Sequence, residues 1–140
     1  MLGGGNPVGG ANPAGIGKTI AYYRTNEGTF VSGYSGEVAV SGSEGSPQAL
    51  LDFTTGSTLI VCRIQFTYPQ ESAQRGVNSV KLDSQTVGKQ FFRTASSSYD
   101  ETFPMTFDIV IPPFTHVECL SGFEDSNGKQ CVSITGRAYA

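Results

Sequence analysis

The residues able to do chemistry are few and far apart in this chain. His116 is its one histidine, so any imidazole acid or base must be this residue. It stands in the alternating stretch THVECL, out of phase with Val117 and Cys119. That phase puts it on the solvent side of a strand with no partner named by the sequence. The three cysteines, Cys62, Cys119 and Cys131, include no Cys-x-x-Cys pair. Without that paired spacing, the three cysteines and the single histidine do not read as a zinc set. Cys62 sits in an apolar run without a base beside it, and no Gly-x-Ser-x-Gly elbow offers a serine nucleophile. Three plain thiols, buried or half-buried, are expected. Cys119 and Cys131 flank an expected hairpin and would face each other across it; whether they join is left open.

The carboxylates read no more strongly. Asp100-Glu101 and Glu124-Asp125 fall in expected loops, where solvated acids are ordinary. Asp125-Ser126-Asn127-Gly128 opens like a calcium loop but lacks the later ligands and the closing glutamate, so a turn is expected. Asp100 and Glu101 would act as glycosidase acids only if another carboxylate converged on them. The segment NPAGIGKT ends like a phosphate-binding loop, with Gly17, Lys18 and Thr19 in place but Asn12 where the first glycine belongs. Such a loop must follow a buried strand and open a helix, so that backbone N–H groups face the phosphates. Here a glycine-rich run precedes it and IAYYRTNEGTF, without a helical stripe, follows. No catalytic residue, cofactor or metal is therefore expected.

Aromatic side chains are the better candidates for contact. Tyr22, Tyr23, Tyr34 and Tyr99 are expected in loops or next to the amino-terminal segment. Tyrosines so placed anchor protein interfaces, being rigid and amphipathic, or stack on sugar rings.

The elements that must position these groups are strands. TLIVCRIQFTY alternates with period two, with Ile60, Cys62, Ile64, Phe66 and Tyr68 on the likelier core face. ALLDF precedes it, turned at Thr54-Thr55-Gly56-Ser57. VNSVKLDSQTVGKQFFR reads as a hairpin turning near Asp83-Ser84. TFPMTFDIVI places Phe103, Met105, Phe107, Ile109 and Ile111 on one face, and Pro112-Pro113 ends it for want of N–H donors. Asn127-Gly128 is the strongest hairpin signal, and QCVSITGRAYA closes with Val132, Ile134, Gly136 and Ala138 facing one way. No stretch shows helical periodicity. About eight short antiparallel strands predict an all-β fold, a single β-sandwich at residues 20–140. Residues 1–19, a Gly/Pro/Asn/Ala run, predict a flexible or extended arm.

Composition excludes several functions. Charged residues are 15% of the chain, glycines number 18, and the net charge is −3. The nine basic residues are scattered singly, which argues against direct nucleic-acid binding. No run of about 18 apolar residues offers a membrane span. The start, MLGGGNPVGG, has neither the basic nor the apolar region of a secretory signal, so synthesis in the cytoplasm is expected.

FDIVIPPFTHVECLSG, KQCVSITGRAYA, LLDFTTGSTLIVCRIQFTY and KLDSQTVGKQF together resemble small β-sandwich structural proteins of bacteriophage virions, over residues 48–140. The resemblance implies a jelly-roll-like capsid, decoration or appendage subunit, located in the virion. It carries over no site residue. The expectation is a non-enzymatic subunit that associates with copies of itself and other virion proteins through its arm and sheet edges. The alternative is a carbohydrate- or receptor-binding module of a spike or fibre.

Overall fold

A computed structural model of the protein describes residues 20–67, 75–93, 105–124 and 128–140. These residues form ten strands and no helix: β1 (Ala21–Thr25), β2 (Gly28–Tyr34), β3 (Val38–Ala39), β4 (Gln48–Thr54), β5 (Leu59–Thr67), β6 (Arg75–Leu82), β7 (Gln85–Arg93), β8 (Met105–Ile111), β9 (His116–Phe123) and β10 (Lys129–Tyr139). They assemble into two antiparallel sheets. The larger has the order β1-β2-β10-β5-β8, with β3 also pairing β10; the smaller has the order β4-β9-β6-β7. The amino-terminal arm expected at 1–19, Tyr99 and the Asp100-Glu101 pair lie outside the described residues.

The pairing is nested. β6 pairs β7 through a tight turn, β5 pairs β8, β4 pairs β9, and β2 pairs β10. Alternation decides which face is buried. Ile60, Cys62, Ile64 and Phe66 of β5 point inward, as do Val132 and Ile134 of β10. They share one core with Leu51 and Phe53 of β4, Val80 of β6, and Val117, Cys119 and Phe123 of β9. Leu50 and Leu51 are both buried although adjacent, because the β4–β9 register shifts between Ala49 and Leu51. Part of the interior is polar. Ser121 donates to Asn78 Oδ1 at 2.7 Å and Gln130 Nε2 donates to the same oxygen at 3.2 Å, all three fully buried. Asn78 and Ser121 belong to the smaller sheet and Gln130 to the larger, so this network bridges the layers.

Two expected turns stand between strands that lie in different sheets, the second of them partly outside the described residues. The bend after ALLDF does not close a hairpin, because β4 and β5 lie in different sheets. Thr55 takes up the polar groups released there. Its N–H donates to Thr115 O at 3.0 Å, its hydroxyl donates to Pro112 O at 2.9 Å, and the Thr115 N–H donates back to the hydroxyl at 2.8 Å. The same bonds hold the β8–β9 crossing, where Pro112-Pro113 stops the ladder as expected. β9 and β10 are likewise in opposite sheets, so the signal at Asn127-Gly128 does not make them a hairpin. Cys119 faces the core, Cys131 lies on the outward-facing register of β10, and all three cysteines are free.

Candidate functional site

The cross-strand register builds a band across the outer face of the larger sheet. Tyr23 of β1 stands opposite Phe30 of β2, Phe30 opposite Arg137 of β10, Arg137 opposite Val61 of β5, and Val61 opposite Val110 of β8. One step along the strands, Tyr139 of β10 faces Leu59 of β5. Tyr23 and Tyr139 are each 50% exposed, Val61 44% and Val110 51%. The Arg137 guanidinium lies 4.8 Å from the Phe30 ring centroid, so the one charge in the band rests on an aromatic face. Phe114, 73% exposed with φ 54°, sits at the same end of the sheet; its N–H donates to Gly56 O, three residues before β5.

The next row is polar. Arg63 and Asp108 form a two-pronged pair, Nε to Oδ1 at 2.7 Å and Nη2 to Oδ2 at 3.0 Å. The hydrogen bond from Arg63 holds the Asp108 carboxyl below its ordinary range. These two, with Thr135, Val61 and Val110, line a shallow hollow of about 550 Å³.

Of the expected contact tyrosines, the described Tyr22, Tyr23 and Tyr34 do not form one surface. Tyr22 and Tyr23 lie on β1 and Tyr34 ends β2, so none of the three is in a loop. Tyr22 packs against the core, its hydroxyl buried and without a partner among the described residues. Tyr23 faces outward in the band. Tyr34, 66% exposed, is at the other end of the same face. Sequence reading missed Phe30, Val61, Val110, Leu59, Tyr139 and Phe114. Their signal was present in part: Leu59 and Val61 are apolar on the strand face opposite the core residues.

The titratable groups sit elsewhere. His116 is on the outer face of the smaller sheet, with Nε2 at 2.6 Å from Asp52 Oδ1. That bond raises its pKa, with smaller contributions from the charges of Asp52, Glu118 and Asp83. The shift favours the imidazolium form. Ligand-type atoms of Asp52, His116 and Glu118 lie within 4.8 Å of one another, the group among the described residues placed to hold a cation. Burial, and secondarily the Asp108 charge, pushes the Cys62 thiol up to about 12. Cys119 and Cys131 are raised too, chiefly by burial, so none is poised as a thiolate. No helix among the described residues is long and apolar enough to cross a membrane.

The fold is that of a β-sandwich-like all-β protein whose larger sheet carries an apolar band on its outer face. No protein-family model, no curated protein and no solved structure matches the chain.

Proposed function

We propose that the protein is a non-enzymatic structural subunit of a virion, a jelly roll that acts by associating with copies of itself and with other virion proteins. The nested strand order supports the jelly-roll reading. A long antiparallel ribbon, with β6·β7 at its tip and β2·β10 at its open end, rolls into two sheets as a double Greek key, a wind found in viral capsid and lectin domains. The resemblance of residues 48–140 to small phage sandwich proteins supports the same reading, in which the assembled protein belongs to the virion.

The observation that carries the assembly reading is the apolar band. A face lined by Tyr23, Val61, Val110, Leu59 and Tyr139 exposes carbon that a solitary domain gains nothing by displaying. Solution mass across a dilution series, with electron microscopy of any large species, tests it. The expected result is a discrete oligomer or particle that dissociates on dilution. A chain that stays monomeric, and that retains a glycan it loses on Tyr34→Ala, would replace this reading with the carbohydrate-binding one.

A further inference from the structure

The outer face of the smaller sheet gathers the chain's one histidine with two carboxylates. β4 pairs β9 so that Asp52 stands directly opposite Glu118, and His116 lies two residues before Glu118 on the same face of β9. Side chains directly opposite start about 5 Å apart at Cβ, and a diagonal pair about 7 Å apart, within reach of one small ion. One ligand-type atom from each of the three lies within 4.8 Å of the others. The group was not legible in the sequence, because Asp52 and His116 are 64 residues apart.

The scaffold beneath holds the three in register. Phe53 on β4, with Val117 and Cys119 on β9, alternates with them and is buried in the core. His116 is fixed by its backbone as well: its N–H donates to Asp83 Oδ1 at 2.8 Å and its carbonyl accepts from the Asp83 N–H at 2.8 Å. The side chains have room to adjust, those of His116 and Asp52 being 39% and 44% exposed. Their contact, Nε2 to Oδ1 at 2.6 Å, is a hydrogen bond. Two ligands of a tetrahedral ion, each about 2.0–2.1 Å from it, stand about 3.4 Å apart. An opening of about 0.8 Å admits the ion, a small rotation for two exposed side chains.

Donor chemistry chooses the ion. An imidazole nitrogen suits zinc, cobalt, nickel or copper, whereas calcium and magnesium take oxygen ligands. Two carboxylates balance a divalent charge. Asp83 adds a third negative group close to His116, while Lys81 faces Glu118 from β6. Three donors leave one position of a tetrahedral ion to water, the open arrangement suited to an exposed face.

We infer that Asp52, His116 and Glu118 form a binding site for one divalent transition-metal ion of the zinc class, which ties the edge strand β4 to β9. The site lies on the face of the sandwich opposite the apolar band, so it is independent of the assembly reading.

The test uses the untagged full chain, stripped with EDTA and kept reduced. Titration with Co²⁺, followed by calorimetry and absorption, should show one ion per chain without the thiolate charge-transfer band that cysteine ligation would give. Paramagnetic broadening of backbone amide signals should centre on Asp52, His116 and Glu118. Zn²⁺ should displace the Co²⁺, and Mg²⁺ and Ca²⁺ should not. His116→Gln and Glu118→Gln should each weaken binding at least tenfold while keeping the far-ultraviolet spectrum. The inference is overturned by failure to saturate at millimolar Co²⁺, by broadening centred elsewhere, by a thiolate band, or by unchanged affinity in a folded His116→Gln protein. Broadening is read on the unaltered chain, so it decides the matter even where a variant does not fold.

Discussion

His116 illustrates how a chemically versatile residue is given a narrow role by its neighbours. Its bond to Asp52 raises the folded-state pKa above the ordinary value of 6.5. The sign follows from linkage: protonation is favoured in the folded state, so the stabilisation is complete below about 6.5 and is lost as pH rises through the raised folded value. The melting temperature should therefore fall as pH is taken from about 6 to above neutrality. Asp52→Asn should flatten that fall. Thermal melts of both proteins across this range check it, and a profile unchanged by the substitution would show that the pair contributes nothing. Both side chains are more than a third exposed, so the effect is small. The cysteines tell a parallel story. Plain thiols were expected, and burial raises the pKa of all three.

At the scale of elements, the β6–β7 hairpin is the sharpest case. Asp83 and Ser84 have φ of 47° and 68°, the left-handed region that a two-residue hairpin turn demands and that side chains resist. Asp83 is retained for a reason. Its N–H donates to His116 O at 2.8 Å and its Oδ1 accepts the His116 N–H at 2.8 Å, which fastens the turn to the start of β9. Ser84 has no such bond. Ser84→Gly should relieve about 1–2 kcal/mol of left-handed strain. Against that stands about 0.5–1 kcal/mol of added backbone entropy in the unfolded chain. A net gain of about 0.5–1 kcal/mol in denaturant unfolding is expected. Gly136 shows the opposite constraint: a Cβ there would strike the Val61 carbonyl oxygen and the Cys62 side chain, so the contact of β10 with β5 requires glycine.

At the scale of the whole molecule, the described residues place ten strands and their shared core within 20–140. Deleting residues 2–18 should leave a domain with an unchanged far-ultraviolet spectrum and a melting temperature within a few degrees of the full chain. Its assembly should weaken markedly, as read by solution mass at matched concentration. Normal assembly of the truncated protein would exclude a part for the arm.

The period-two alternation of β5, β8 and β10 was legible because burial on one face imposes it, residue by residue. The Asp83-Ser84 turn and the stop at Pro112-Pro113 were legible because each follows from local backbone limits. Strand partnership was not. Whether a bend closes a hairpin or carries the chain to the opposite sheet depends on distant hydrogen bonds, such as those joining Thr55 to Thr115 and Pro112. For the same reason the apolar band was invisible in order of sequence. Tyr23, Phe30, Val61, Val110 and Tyr139 become neighbours only through the register of five strands. Sequence alone thus determined that this chain is all-β and which faces its strands bury, because those are short-range consequences of alternation. Tertiary structure alone decided which strands pair, and so which side chains share the outer surface.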